Sequence, residues 1–244
     1  MKHQYVGDIN DYRKYALLRS LAANGGNRIG VCWMLIPSDG GPNGNKLTYL
    51  EKPKQYRHFD PPLFDILAHA TAEPERRRLQ TIENSGAIPK AVYHNTMLPQ
   101  AVGERAAYMA ECRAKFADAD LVFFDPDNGI EAPKAKLGRK AALKYVFLDE
   151  LAAFYGNGKS VLVYQQFPIK QHRKPFLVAT LERLRVMAPD AAIWTFTTSF
   201  VVFFLLIHPE SPARLAIAAE EACGHWSPDF INGECLSPAL LAAG

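Results

Sequence analysis

The sequence predicts an α/β protein with a mostly parallel sheet covered by helices on both faces. Two observations lead to this fold class. Short, continuously apolar runs, typical of strands buried on both faces, alternate with helical patterns along most of the chain. The last two apolar runs follow each other directly, which indicates an antiparallel hairpin at one edge. With 244 residues, 48% of them hydrophobic, the chain can form one complete core, so we predict a single three-layer, Rossmann-like domain over residues 1–244.

The first half of the chain supplies three of the predicted strands. A helix is expected to begin at Asp8 or Asn10, either of which can cap it, and to end at Gly25 and Gly26. The apolar run that follows predicts the first strand, and it ends in the turn-forming stretch PSDGGPNG. This first strand is expected at 29–36. The elements that follow it are two helices within 61–86, in a helical insertion at about 55–90, then a strand at 91–94, a helix at 103–116 and a strand at 120–124.

The second half of the chain completes the alternation and ends with the hairpin. Pro212 stands near the start of the last helix, a position that proline favours. The expected elements are a helix at 145–154, a strand at 160–166, a helix at 172–187, hairpin strands at 191–198 and 200–208, and a helix at 211–223.

Charge, cysteine content and hydropathy narrow the class of protein. The net charge of +3 is too small to indicate a nucleic-acid partner by itself, although basic residues cluster locally. The four cysteines are scattered without a CxxC pair, which predicts reduced thiols in a cytoplasmic protein. The most apolar run, residues 200–207, is too short to span a bilayer, so we expect no membrane association. The basic clusters are Lys134, Lys136, Arg139, Lys140 and Lys144, and then Lys170, His172, Arg173 and Lys174.

Three polar segments are expected at one rim of the sheet. DPDNG (125–129), PSDGGPNG (37–44) and the pair Gln165-Gln166 each follow a predicted buried strand. Ligands of open α/β sheets bind at the carboxyl ends of the strands, so these segments predict a site. Asp-Pro and Asn-Gly also form ordinary turns, and a plain turn at DPDNG is the simplest alternative.

The chain resembles a known enzyme family at two motifs. The N-terminal segment reads Gly7-Asp8-Ile9-Asn10-Asp11-Tyr12-Arg13-Lys14-Tyr15, and a buried strand ends in Asp125-Pro126-Asp127-Asn128. These stretches resemble the G-N-x-x-D-x-x-K-H and DPPY motifs of class I S-adenosylmethionine-dependent methyltransferases that modify an adenine amine in ribosomal RNA. Near the C-terminus a strand runs into His208-Pro209, where the family has an N-P-P-W turn. The YVGDINDYRKY and FFDPDNG patterns also resemble those of an uncharacterised bacterial protein family.

The resemblance implies a methyltransferase-like domain that transfers a methyl group from S-adenosylmethionine to a nucleic acid, with RNA favoured, or to a nucleotide-like substrate. It implies a catalytic set of Asp125, Pro126, Asp127, Asn128 and Lys14. The expected cofactor-binding residues are Asp11, Tyr15, Asp39, Gly40, Gly41 and Asp125. The expected substrate-binding residues are Tyr12, Lys134, Lys136, Gln165 and Gln166. The sequence departs from the family at several positions. In the first motif Asp8 replaces Asn and Tyr15 replaces His, and in the second Asp127 and Asn128 replace the second proline and the stacking aromatic. The segment PSDGGPNG also lacks the G-x-G spacing.

Two other functions use the same region. Carboxylate oxygens suit Mg²⁺ or Mn²⁺, so an acidic set predicts a metal-dependent nuclease or phosphohydrolase centred on Asp125 and Asp127. A non-catalytic nucleic-acid-binding protein on the same fold is the third possibility. No resident metal site is assigned, since Cys223, His225 and Cys235 lack the paired spacing of zinc ligands. The acidic set comprises Asp8, Asp11, Asp125, Asp127, Glu131 and Glu150.

Overall fold

A computed structural model describes residues 1–169 and 171–236. Lys170, one of the residues in the basic clusters, and positions 237–244 of the predicted domain lie outside this part. The helices are α1 (Ile9–Ala22), α2 (Pro53–Tyr56), α3 (Pro61–Thr71), α4 (Leu79–Asn84), α5 (Val102–Lys115), α6 (Leu148–Tyr155), α7 (Arg173–Met187) and α8 (Ala213–His225). The strands are β1 (Ile29–Cys32), β2 (Val92–His94), β3 (Leu121–Phe124), β4 (Gly129–Ile130), β5 (Tyr145–Val146), β6 (Ser160–Gln166), β7 (Ala192–Thr197), β8 (Val201–Ile207) and β9 (Asn232–Leu236).

Seven strands form one sheet in the order β2-β1-β3-β6-β8-β7-β9. The first four of these are mutually parallel, whereas β8 lies antiparallel to both β6 and β7. The chain enters the sheet at β1, then adds β2 on one side and β3 on the other. This reversal places a topological switch point between β1 and β3, where open α/β sheets bind their ligands.

Two apolar layers cover the sheet and confirm the predicted three-layer α/β fold. Residues of α1, α3, α4 and α8 pack on one face, and residues of α5, α6 and α7 pack on the other. The strands alternate between the two layers with the period of two that strand geometry imposes. In β3, for example, Phe123 points into the α1 layer and Phe124 into the α5 layer. The next residue, Asp125, is therefore directed towards α1.

Helix α1 is buried along most of its length, which explains its unusual composition. The Asp8 side chain caps it by accepting a hydrogen bond from the backbone N–H of Asn10. The helix ends where Ala23 takes a left-handed conformation, two residues before Gly25. Ten of its 14 residues are buried, Asp11 and Lys14 among them. Because buried charges need partners, these two side chains indicate that the interior next to α1 contains a polar site.

Details at the end of the chain and near Tyr145 differ from the predicted elements. The helix expected from Tyr145 begins at Leu148, because Tyr145–Val146 (β5) pairs with Gly129–Ile130 (β4) in a small parallel sheet. Strand β9, which the sequence analysis does not predict, pairs with β7 outside the antiparallel pair. Within the described residues, no helix combines the length and the apolar character that crossing a membrane requires.

Candidate functional site

A charged cavity of about 190 Å³ opens at the switch point between β1 and β3. The DPDNG segment, the α1 residues Asp11 and Lys14, and part of the loop after β1 line it. Its walls carry almost balanced charge from five aspartates and four lysines. The aspartates are Asp8, Asp11, Asp39, Asp125 and Asp127. The lysines are Lys2, Lys14, Lys46 and Lys144.

Lys14 connects the two motifs at the centre of the cavity. Its Nζ lies 2.7 Å from Asp11 Oδ1 and 2.7 Å from Asp125 Oδ2. The hydroxyl of Tyr15 donates to the second oxygen of Asp11 at 3.1 Å, and the Lys14 ammonium lies 5.5 Å from the ring centre of Tyr164. Asp125 is thus held by a charge-assisted hydrogen bond on the face towards α1, as the alternation of β3 requires.

Burial and charge act in opposite directions on these groups. Burial raises the pKa of Asp11 to about 6, although the Lys14 ammonium acts to lower it. Burial alone would lower the pKa of Lys14, but the two neighbouring aspartates raise it above its usual value. Lys14 therefore stays protonated across the physiological range and serves as a fixed cation between two carboxyl groups.

A second group of polar atoms lies at the mouth of the cavity. Lys2 Nζ is 2.8 Å from Asp39 Oδ2 and 3.5 Å from Asp127 Oδ2, and this ammonium lowers the pKa of Asp39 to about 2. Two buried oxygens that line the cavity, Asn10 Oδ1 and Asp127 Oδ1, have no hydrogen-bond partner among the described residues. Buried acceptors are normally satisfied, so these two atoms mark a place for a ligand that donates hydrogen bonds.

Contacts of the backbone also fix the DPDNG segment. The N–H of Asp125 donates to the carbonyl of Cys32 at 3.0 Å. Gly129 has φ +131°, and a Cβ there would lie 2.2 Å from Gln165 Oε1. That Oε1 accepts from the N–H of Ile130 at 2.8 Å, so Gly129 lets the segment lie against β6.

A larger cavity of about 890 Å³ adjoins the first one. The two cavities share Asn128 and Gln166 in their linings. The walls of the larger cavity are mainly apolar and include Phe167 and Phe176 from the β6–α7 region. An apolar volume with polar groups at its junction to a charged cavity is the usual arrangement of a small-molecule site.

The remaining predicted site residues lie at varied distances from the cavities. Asp127, Asp39, Pro126 and Asn128 line the charged cavity, whereas Gln165 lines only the larger one. Gln166 lines both cavities, and the other predicted residues line neither. Tyr12 lies in the core, where its hydroxyl donates a hydrogen bond to the carbonyl of Asp60. The hydroxyl of Tyr15 donates to Asp11 and so helps to hold that carboxyl group. The remaining four, which lie in loops at the surface, are Gly40, Gly41, Lys134 and Lys136.

Two members of the predicted acidic set belong elsewhere. Glu131 forms an ion pair with Arg183 at 2.7 Å, and Glu150 forms one with the buried Arg105 at 2.6 Å. Neither glutamate lines the charged cavity. The carboxyl groups that share this cavity are therefore all aspartates.

Several residues that shape the cavity were not predicted. Lys2, Lys46 and Tyr164 line it, and the Met1 nitrogen donates to the carbonyl of Asp125 at 2.9 Å. Among these residues, only Tyr164 could have been recognised from the local sequence, because it places a hydroxyl within the apolar run of β6. The two lysines reach the cavity through chain folding over long sequence separations.

No protein-family model matches the chain, and the comparison with curated proteins likewise finds no match. The features that bear on its function are therefore the fold and the geometry of the two adjoining cavities.

Proposed function

We propose that this protein transfers a methyl group from S-adenosylmethionine to a nitrogen of a nucleic acid or nucleotide-like substrate. The observation that carries the proposal is the charged cavity at the β1–β3 switch point, with Asp125 held by Lys14 at its centre. Asp125 follows β3, which lies beside β1. The resemblance to the DPPY enzymes implies that the acceptor amine binds at this position.

The polar atoms of the cavity suit one end of the cofactor. A zwitterionic methionine group matches walls on which lysines and aspartates nearly balance. The ammonium of this group can donate hydrogen bonds to Asn10 Oδ1 and Asp127 Oδ1, which accept none from the described residues. The volume of about 190 Å³ is below the roughly 300–1,000 Å³ of complete small-molecule sites. The nucleoside end would therefore extend along Asp39 and the loop glycines at 40 and 41.

The chain contributes positioning and charge rather than a strong base. When bound, S-adenosylmethionine would supply a methyl group on a positively charged sulfur, and an aligned nitrogen would displace that sulfur in line as a neutral thioether and then lose a proton to solvent. Asp125 accepts a hydrogen bond from the acceptor amine and so directs its lone pair. Lys14 fixes the Asp125 carboxylate by the 2.7 Å contact, and precise alignment of this kind supplies much of the rate of such a reaction.

The larger cavity and the basic residues indicate the class of acceptor. An apolar volume that contains Phe167 and meets Asn128 suits a flat base, which contributes roughly 1–3 kcal/mol when it stacks on an aromatic ring. The exposed Lys134 and Lys136 follow β4 and are available for phosphate contacts. We include RNA as the favoured partner and, because all four cysteines are free thiols, a cytoplasmic location in the proposal.

Calorimetric titration with S-adenosylmethionine, with and without EDTA, tests the proposal. We expect micromolar binding in both conditions and at least a tenfold loss in Asp125→Asn, whose side chain keeps the shape of aspartate. The matched control is Asp65→Asn, which changes an exposed aspartate paired with Arg57. Absence of binding to the wild-type protein would overturn the proposal.

A metal-dependent nuclease or phosphohydrolase is the second candidate, and one observation favours it. The buried, unpartnered Oδ1 of Asp127 is also a ligand atom that Mg²⁺ or Mn²⁺ prefers. Lys14 opposes this function, because its ammonium already occupies Asp11 and Asp125. Titration with Mg²⁺ separates the two functions: divalent-ion binding that is lost in Asp127→Asn, with no binding of S-adenosylmethionine, would favour the nuclease.

A further inference from the structure

A second cluster of reactive side chains lies on the opposite face of the sheet. Cys32 ends β1, His94 ends β2, and the two residues are direct partners in the parallel register. Cys112 reaches them from α5. One donor atom from each residue lies within 4.8 Å of the other two. Among the described residues, this is the one group of three histidine, cysteine or acidic side chains with such spacing.

The cluster is buried, and one of its polar atoms has no partner. Cys32 and Cys112 are fully buried, and His94 is 4% exposed. The Cys112 Sγ–H donates to Cys32 Sγ at 3.3 Å, and the Tyr108 hydroxyl lies 3.4 Å from the same sulfur. The Nδ1 of His94 is buried without a hydrogen-bond partner in the described part of the chain. His94 thus keeps one buried ring nitrogen without a hydrogen bond in a cluster that also holds two sulfurs.

We propose that Cys32, Cys112 and His94 Nδ1 bind a Zn²⁺ ion. Two thiolates and one imidazole are ordinary zinc ligands, and the thiol protons leave to solvent as the two Zn–S bonds form. The resulting charge is neutral, which suits a buried site. Zn–S bonds of about 2.3 Å place two sulfurs about 3.8 Å apart, so the present 3.3 Å separation opens by about half an ångström.

The surroundings of His94 support this assignment. Its Nε2 lies 3.8 Å from a carboxylate oxygen of Glu111 and 3.5 Å from the Thr96 hydroxyl. Zinc-bound histidines commonly have such an outer partner, which orients the ring. The site would also link β1, β2 and α5 directly behind Asp125, whose N–H bonds the carbonyl of Cys32. The site therefore lies at the base of the charged cavity, and its three protein ligands leave the fourth tetrahedral position of the ion to a water molecule.

Metal analysis of the purified wild-type protein tests the assignment first. The protein is unfolded with EDTA and a thiol reductant, refolded without metal, and titrated with Zn²⁺ against a chromophoric chelator. We expect one Zn²⁺ per chain and a rise in melting temperature. Replacement by Co²⁺ should give a thiolate-to-cobalt charge-transfer band, which requires no variant. A refolded wild-type protein that takes up neither ion would overturn the proposal.

Variants then identify the ligands. Cys112→Ser and His94→Gln should each weaken zinc binding by more than about 100-fold. Loss of only a hydrogen-bond partner of a ligand weakens metal binding by about 10- to 100-fold, so a larger effect identifies a ligand. Cys223→Ser and Cys235→Ser, which change the two thiols outside the cluster, should leave affinity unchanged. Zinc binding that persists in both cluster variants would contradict the assignment. So would an intact mass two hydrogens lower, with Cys32 joined to Cys112 in a peptide map, because the pair would then be a disulfide.

Discussion

At the scale of single residues, the buried carboxyl groups dominate the chemistry of the cavity. Asp11 and Asp125 share one lysine, and both are almost inaccessible to solvent. Leaving a buried charge of this kind without its partner typically costs about 3–5 kcal/mol. Burial disfavours the charged form of Asp11 and raises the pKa of its carboxyl group to about 6.

We predict that Asp11 makes wild-type stability decline as pH rises from about 4 to 6. The native state holds the Asp11 proton more tightly than the unfolded chain, whose reference pKa is 3.8. The stabilisation is therefore complete below that value and is lost as pH passes about 6. Relative to Asp11→Asn, the free energy of unfolding should fall by roughly 1–3 kcal/mol over this window.

Urea unfolding of both proteins between pH 4 and 8 measures this difference. Asp65→Asn is the control with the opposite sign, because Arg57 lowers the pKa of Asp65 in the native state. The stabilisation from Asp65 is present above the unfolded-state pKa of 3.8 and is lost only as pH falls below that value, so the wild-type minus Asp65→Asn difference should change little from pH 4 to 8. A wild-type minus Asp11→Asn difference that stays flat from pH 4 to 6 would contradict the prediction.

At the scale of secondary-structure elements, close approach of α5 and β1 determines where the cluster of Cys32, His94 and Cys112 forms. Gly30 in β1 faces Phe116, which directly follows α5, and a Cβ on Gly30 would lie 2.6 Å from the Phe116 ring. The absence of a side chain lets α5 lie flat on β1. This packing brings Cys112 and Tyr108 of α5 over the end of the strand.

We expect Gly30→Ala to destabilise the protein by about 1–3 kcal/mol, the usual cost of overpacking a core. The matched control is Gly103→Ala in α5, where an added Cβ meets nothing within 4 Å. That substitution should be neutral or stabilise by up to about 1 kcal/mol, because alanine restricts the unfolded chain. Thermal and urea unfolding measure both effects, and equal stability of the two variants would count against the packing argument.

At the scale of the whole molecule, the C-terminal segment closes the layer that carries α1. Phe230 stacks on Phe59 with ring centres 4.1 Å apart and meets the Tyr12 ring at 5.1 Å. Arg13 donates to the carbonyl of Asp229 at 3.1 Å. The tail therefore supports the helix that places Lys14 in the cavity, although it lies more than 200 residues away in sequence.

Removal of the Phe230 ring should cost about 3–5 kcal/mol, as for other buried phenylalanines replaced by alanine. We also expect weaker ligand binding at the charged cavity, because α1 loses part of its support. Ile217→Ala in α8 is the control, since this side chain is 57% exposed. Chemical denaturation followed by ligand titration tests both effects. Loss of stability equal to that of the control would contradict this role of the tail.

The sequence alone determined the alternation of helices and strands and the position of DPDNG at a strand end. Both follow from local periodicity and turn chemistry, which neighbouring residues specify. It did not predict β9 or the small β4–β5 sheet, because strands of two to five residues with polar positions lack a clear apolar pattern. The proximity of Asp125 to the α1 motif was expected through the family resemblance and through the acidic set of the metal-dependent alternative.

Only the tertiary structure decided which side chains meet. Lys14 and Asp125 are 111 positions apart, and Cys32, His94 and Cys112 have no spacing typical of a metal site. Their contacts depend on the strand order β2-β1-β3, on a register that pairs Cys32 with His94, and on the helix that covers each face. Order and register arise from packing of the whole core, so no local pattern specifies them.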